Sequence, residues 1–331
     1  MTETRLDVLA IGDAIVDVIS TTDDAFLAEE GLVKGSMQVL DAEGATRLYA
    51  KMSQARETSG GSAANTMAGV AALGGRAGFV GQVAADQLGE IFAHDIRALG
   101  VEFLTPPLRG GLPTGRCLIL VTPDAQRTMN TFRGAAHELS RAALDAAQIE
   151  GAAILYLEAY LWRSAGPRSA IDEAMRLAHA AGRKVAFTLS DIACIAPHRA
   201  EMMAMLESGA IDLLFANENE ICALADLADR DAAVAAIEGK VPLLVVTCGS
   251  EGALAVERGQ RVTVPIARIG RGIVDTTGAG DLFAAGFLVG QAQGRDLETS
   301  LLMGSLAAAE IISHFGARPE ADLRALIEEH L

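Results

Sequence analysis

The sequence predicts an α/β protein built on a mostly parallel sheet, with a small β-lid beside it. Three observations carry this reading. Short apolar, β-branched runs at 8–11, 78–80, 118–121, 154–157, 185–189, 213–216 and 243–247 read as strands. Most are apolar at every position, the pattern of strands covered on both faces. Segments with helical spacing, such as 86–99, 169–181 and 218–224, fall between them. Alternating strands and helices imply a sheet sandwiched between helix layers. After Asp275 the strand runs stop, and helices are expected over 278–293, 297–313 and 321–331.

Two stretches break the rhythm. Residues 14–40 hold strand-like runs at 15–20 and near 36–40. Residues 101–133 hold Pro106, Pro107, Gly110, Gly111 and Pro113, then runs at 116–121 and 127–132 split by the turn Thr122-Pro123-Asp124. Both read as short antiparallel pieces outside the main sheet. The expected division is a body of residues 1–13, 41–100 and 134–331 with a lid of 14–40 and 101–133. No repeat, low-complexity tract or flexible linker separates them, so they read as one folding unit.

Of the 331 residues half are apolar, so the chain can bury a core without disulfide or metal staples. Its 27 basic and 43 acidic side chains give a net charge of −16. That balance argues against a nucleic-acid partner or an anionic membrane, but a few local amides can still hold an anion. Cys117, Cys194, Cys222 and Cys248 stand far apart, and the histidines show no ligand spacing, so no zinc site is legible. Glu3 and Asp7 sit where a secretory leader would be basic then apolar, and apolar runs such as 282–289 fall short of the ~20 residues of a membrane helix. A cytoplasmic protein is expected.

The most informative stretch is Asp275-Thr276-Thr277-Gly278-Ala279-Gly280-Asp281, where an extended run turns into an apolar helix. Small residues allow a tight turn whose free N–H groups converge on one anion, aided by the helix dipole. An acid in the first turn, Asp281, can merely stabilise the helix. Beside an anion hole it has a sharper use: removing a proton from a hydroxyl while the amides stabilise a transferring phosphoryl group.

In Gly60-Gly61-Ser62-Ala63-Ala64-Asn65, two glycines precede a helix of small residues, with Ser62 a candidate N-cap. The plain reading is a glycine-rich turn. The functional one brings a ligand onto the bare backbone, with Asn65 offering donor and acceptor to a sugar hydroxyl. Asn217 and Glu220, three apart at the end of a strand, form either a helix cap or a pair facing hydrated Mg²⁺. Thr247-Cys248-Gly249-Ser250-Glu251-Gly252 reads as a hairpin, and Asp17 as a hydroxyl-binding or solvated acid. No Walker loop or dinucleotide fingerprint follows a strand, which disfavours P-loop kinases and standard dehydrogenases.

Taken in order, the Gly60–Asn65, Asn217–Glu220 and Asp275–Asp281 motifs resemble the ribokinase-like (PfkB) family of carbohydrate and nucleoside kinases, over nearly the whole chain. The resemblance implies a three-layer αβα body with a β-lid, ATP as phosphoryl donor and Mg²⁺ as metal. It makes Asp281 the catalytic base and the amides of Gly278, Ala279 and Gly280 the anion hole. It gives Asn217 and Glu220 to hydrated Mg²⁺ and phosphates, Gly61, Asn65 and Asp17 to the acceptor, and Thr247, Gly249 and Gly252 to the nucleotide. Some members also bind a monovalent cation, such as K⁺, near the equivalents of Asp275 and Thr277.

Within the family the likeness is greatest to the adenosine kinase branch, through Asp24-Ala25-Phe26-Leu27, Pro113-Thr114-Gly115 and Phe315-Gly316-Ala317. Gln38 and Leu40 would then face the acceptor's base. Tyr160-Leu161-Trp162 departs from that branch, with Leu161 where a stacking ring is expected. The expected activity is phosphorylation of the primary hydroxyl of a nucleoside, adenosine first. The alternatives are a kinase of a free pentose, hexose or sugar acid, and a non-catalytic sugar- or nucleoside-sensing protein. The edge of a lid strand could pair with a second subunit as a homodimer.

Overall fold

The computed structural model describes residues 4–124, 126–270 and 272–331. In chain order the strands are β1 (Leu6–Ile11), β2 (Ile15–Thr21), β3 (Met37–Val39), β4 (Ala55–Gly60), β5 (Ala77–Val80), β6 (Glu102–Phe103) and β7 (Gly115–Val121). They continue as β8 (Arg127–Phe132), β9 (Ala152–Glu158), β10 (Lys184–Thr188), β11 (Leu213–Asn217), β12 (Leu243–Thr247), β13 (Ala253–Glu257) and β14 (Gln260–Val264). Nine form the main sheet in the order β14-β13-β12-β11-β10-β9-β1-β5-β6. Pairing is parallel from β6 to β12, and β13 and β14 add an antiparallel edge.

The apolar strands explain the layers. Successive side chains point to opposite faces, so an all-apolar strand must bury both. Along β9, Ile154 and Tyr156 belong to one core while Leu155 and Leu157 belong to another. The first core is closed by helices Ser62–Ala72, Ala279–Ala292 and Leu297–Ile311, and the second by Ala165–Ala180, Ile192–Glu207 and Glu218–Ala225. The result is the expected three-layer αβα body on a mostly parallel sheet. Among the described residues no helix is long and apolar enough to cross a membrane.

The remaining strands form a second sheet, β3-β8-β7-β2-β4, whose β7 holds the run 118–121 inside the expected lid. The sheet differs from that lid in three ways. Residues 55–60, assigned to the body, form β4 and pair with β2, whereas residues 102–103, assigned to the lid, form β6 and pair with β5 in the main sheet. β4 reads Ala-Arg-Glu-Thr-Ser-Gly, without apolar alternation, so only its backbone pairing makes it a strand. Thirdly, the pieces are not simply antiparallel: β2 pairs in parallel with β7, and β3 with β8, because the partners come from distant segments.

Under the carboxyl edge of the main sheet, Tyr156, Phe215 and Phe287 stack edge to face, with centroids 6.0 and 5.6 Å apart. Such pairs add to the burial of the rings themselves. Phe287 is fully buried and fixes helix Ala279–Ala292 against β11. Phe287→Ala is therefore expected to cost about 3–5 kcal/mol of unfolding free energy in a urea titration. A loss below about 1 kcal/mol would contradict this anchoring role.

Candidate active site

In a parallel sheet the ligand crevice lies off the carboxyl ends of the strands, where the strand order reverses. Here β5 and β6 lie on one side of β1, and β9 onward on the other. A cavity of about 410 Å³ opens at that edge, between the main sheet and the small one. Its wall gathers Asp13 after β1, Asn217 at the end of β11, Thr247 at the end of β12, and the segment from Thr276 to Asp281.

The helix starting at Ala279 is entered through Gly278, whose φ of 79° is a left-handed conformation that favours glycine. Gly280 is glycine for a different reason. A Cβ there would meet nothing within 4 Å, so no neighbour inside the protein excludes a side chain. Its absence leaves bare backbone facing the cavity. The Ala279 N–H closes a turn on the Thr276 carbonyl at 3.2 Å. Among the described residues the amides of Gly278, Gly280 and Asp281 have no partner. The free set is thus 278, 280 and 281 rather than 278, 279 and 280, because the first turn of a helix leaves its N–H groups open except where a local turn captures one.

Asp281 is held by two donors from the other glycine-led helix. Ser62 Oγ donates to Oδ1 at 2.6 Å and Asn65 Nδ2 to Oδ2 at 2.9 Å. Burial raises its carboxyl above the usual range, although these bonds and the Arg318 charge pull the other way. Ser62 is not the cap expected of it: Gly61 holds the N-cap position and Ser62 is the first helical residue, with its hydroxyl turned to Asp281. Asn65 is engaged at both ends, since Arg318 donates to its Oδ1 while also reaching the Ser59 carbonyl at 2.6 Å. Gly61, Asn65 and Asp17 all line the cavity. Burial lifts Asp17 to about 6, opposed by the charges of Arg318 and Arg127.

On the far side Asn217 and Glu220 form a capping box. Asn217 Oδ1 accepts from the amides of Asn219 and Glu220 at 2.9 Å, and Glu220 accepts from Asn217 N at 3.0 Å and Nδ2 at 2.8 Å. The capping reading therefore holds, yet both residues also line the cavity. Burial pushes Glu220 up to about 7, so its ionised form lacks a compensating cation. Magnesium keeps most of its waters and needs few direct ligands, so this donor set, one buried acid beside a cavity, fits it. Thr247 is on the cavity wall, whereas Gly249 and Gly252 form the β12–β13 turn and do not line it. Among the described residues no cluster of three or more His, Cys, Asp or Glu could hold a metal by itself.

The monovalent-cation expectation does not fit. Asp275 Oδ1 accepts from Thr277 N at 3.0 Å and Thr277 Oγ1 at 2.7 Å, and Oδ2 from Gly316 N at 3.0 Å. The guanidinium of Arg127, at the start of β8, pairs with Oδ2 at 2.9 Å and donates to Thr277 Oγ1 at 3.0 Å. Hydrogens face this carboxylate on every side, where a cation would need free oxygens. Burial would raise Asp275, but the bonds from Gly316 and Thr277 and the Arg127 charge hold it below the usual carboxylate range.

The small sheet supplies the opposite wall through Ile15, Met37, Cys117, Ile119 and Met129, with Val39 beside Met37. Gln38, expected to face the acceptor, points the other way and donates to Asn130 at 2.7 Å, and Leu40 packs into the core. The phase of β3 differs by one residue from the expected one, and a one-residue slip exchanges the faces of a strand. The ring question resolves similarly: Leu161 is buried in the second core, Trp162 packs on Phe187, and Tyr160 lines the cavity. Arg318, Arg127 and the Glu158 carboxylate, which takes the amides of Asp13 and Ala63 at 2.7 Å, were not foreseen. For Met37 and Val39 the alternation of β3 spans only three residues, too few to fix which face they take. For the others, far from the motifs they serve, no signal was present.

The comparisons with known proteins agree with this layout. The model of the pfkB family carbohydrate kinases matches residues 6–323. A solved structure of adenosine kinase from Sinorhizobium meliloti is 46% identical, with TM-score 0.91 over 99% of this chain and 100% of that one. A probable sugar kinase from Rhizobium etli is 44% identical, with TM-score 0.92 over 99% of both chains. The adenosine kinase of Saccharomyces cerevisiae is 27% identical over 93% of this chain and 95% of its own length. Free helix-start amides beside a braced carboxylate, on a fold shared end to end with these kinases, leave one assignment: the chain belongs to the pfkB carbohydrate kinase family and is a phosphotransferase.

Proposed function

We propose that the protein transfers the γ-phosphoryl group of ATP to the primary hydroxyl of a ribose-containing nucleoside, adenosine first among them. The similar structures include an adenosine kinase and a probable sugar kinase at almost equal identity, so likeness alone does not choose the acceptor. The observation that carries the nucleoside reading is the small-sheet wall. Met37 and Val39 are 49% and 56% exposed, and with Ile15, Cys117, Ile119 and Met129 they form an apolar, sulfur-rich surface over the cavity. Free sugars offer hydroxyls on every side, whereas a flat heterocycle gains from such a wall and from thioether contacts.

In this reading the nucleoside lies with its base under the small sheet and its ribose between Asp17 and Asn65. Asp281 takes the proton of the attacking hydroxyl, and its raised basicity suits that task. Ser62 and Asn65 fix the carboxylate so that no reorientation is needed as the bond forms. The free amides of Gly278, Gly280 and Asp281 accept charge from the transferring phosphoryl group. Glu220 and Asn217 would face hydrated Mg²⁺, which supplies charge neutralisation on the phosphates when bound. The small sheet acts as a lid that excludes water, the competing acceptor.

Asp281→Asn is expected to lower turnover by about 10²–10⁴ while adenosine still binds. Near-normal turnover in that variant would rule out the proposed base. Adenosine, inosine, ribose, fructose and 2-keto-3-deoxygluconate, tested for ADP release, separate the acceptors. Preference for a free sugar or sugar acid would replace the nucleoside reading with the alternative kinase.

Glu220 generates a pH expectation. Its folded value of about 7 lies above the ordinary 4.5, so the folded state holds a proton that the unfolded chain has released. The stability this confers is fully present below pH 4.5 and is lost as pH rises through about 7. Glu220→Gln cannot ionise, and its melting temperature should fall less than that of the wild type across this window. Identical pH dependence in the two proteins would show that Glu220 does not carry this shift.

A further inference from the structure

Arg127 stands at the first position of β8, in the small sheet, yet its guanidinium reaches the turn that precedes the anion-hole amides. Its side chain and that of Asp275 are only 12% and 9% exposed. Beyond the Asp275 and Thr277 contacts, the guanidinium lies 5.9 Å from the ring of Phe315, and the next residue, Gly316, donates its amide to the same Asp275 oxygen. One positive charge is thus enclosed by a carboxylate, a hydroxyl and an aromatic face. A plain stabilising role explains this poorly, because a buried ion pair loses most of its attraction to desolvation.

We propose that Arg127 is this chain's own cation for the Asp275–Thr277 turn: it occupies the place of a free monovalent ion and, from the small sheet, positions the loop that presents the Gly278, Gly280 and Asp281 amides. Two consequences follow from the geometry. The enzyme needs no added monovalent cation, because a positive charge already balances Asp275 and a second one beside it would be repelled. Alignment of the amides depends on the small sheet being in place, since β8 carries the guanidinium. Arg127 is a positioning residue in this scheme and touches neither acceptor nor phosphate.

The inference uses the family's phosphotransferase chemistry, and its test reads the acceptor that turns over, together with a melting measurement that needs no acceptor. Failure here therefore leaves the nucleoside reading standing, and failure of that reading leaves this test intact. Wild-type kcat and melting temperature are compared in K⁺ and in tetramethylammonium at fixed ionic strength. The expected difference in rate is no more than about twofold, with no K⁺-specific change in melting temperature. Arg127→Ala should lower kcat by about 10–100-fold and regain part of it with guanidinium or K⁺, whereas Arg127→Lys keeps most of the activity. A wild type activated severalfold by K⁺ would overturn the proposal. So would Arg127→Ala with unchanged kcat, or a loss relieved by neither ion nor by the lysine variant. If the alanine variant fails to fold, the wild-type comparison and Arg127→Lys still decide.

Discussion

A buried carboxylate, Asp281, is held beside helix-start amides that have no partner among the described residues, and much of this structure serves to keep it there. Asp281 is in the first turn of helix Ala279–Ala292. Partial positive charge at the helix start favours an acid there. Burial works against it and would leave the group protonated if nothing opposed it. The Ser62 hydroxyl and the Asn65 amide offset this by donating one hydrogen bond to each oxygen. Two glycine-led helices must therefore meet at one edge of the sheet, and β1 and β9 bring them together where the strand order reverses.

The supports extend outward in a consistent order. Glu158 ends β9 and accepts the amides of Asp13 and Ala63, tying the exit of β1 to the start of helix Ser62–Ala72. Arg318, far along the chain, holds Asn65 from behind. Beneath them the Tyr156, Phe215 and Phe287 rings lock the second helix to the sheet. Above, the small sheet lines the cavity with apolar side chains, so the cavity is polar on one side and apolar on the other. That division suits a reaction in which water must be kept from the phosphoryl group.

The three-layer fold was legible because most strands of the main sheet are apolar on both faces, the pattern that burial on both faces produces. The motif from Asp275 to Asp281 was legible because glycine, glycine and an acid at a helix start have few other uses. What escaped the sequence has specific causes. β4 is polar and becomes a strand only by pairing with β2, so periodicity could not reveal it. Gln38 lost its expected place to Met37 and Val39 because three residues of strand give too short a pattern to fix the phase. Spacing alone places Ala279 among the free amides, whereas a turn to Thr276 captures its N–H. Arg127 and Arg318 act on motifs 148 and 253 residues away in the pairings Arg127–Asp275 and Arg318–Asn65, and nothing local marks them.

The most direct test of the central claim is a crystal structure of the protein with adenosine and a non-hydrolysable ATP analogue. The expected result places the primary hydroxyl of the ribose within about 2.6–3.2 Å of an Asp281 carboxylate oxygen. It also places the terminal phosphate on the amides of Gly278, Gly280 and Asp281, with the base against Met37 and Val39. A ribose hydroxyl held away from Asp281, or a phosphate bound elsewhere on the sheet edge, would contradict it.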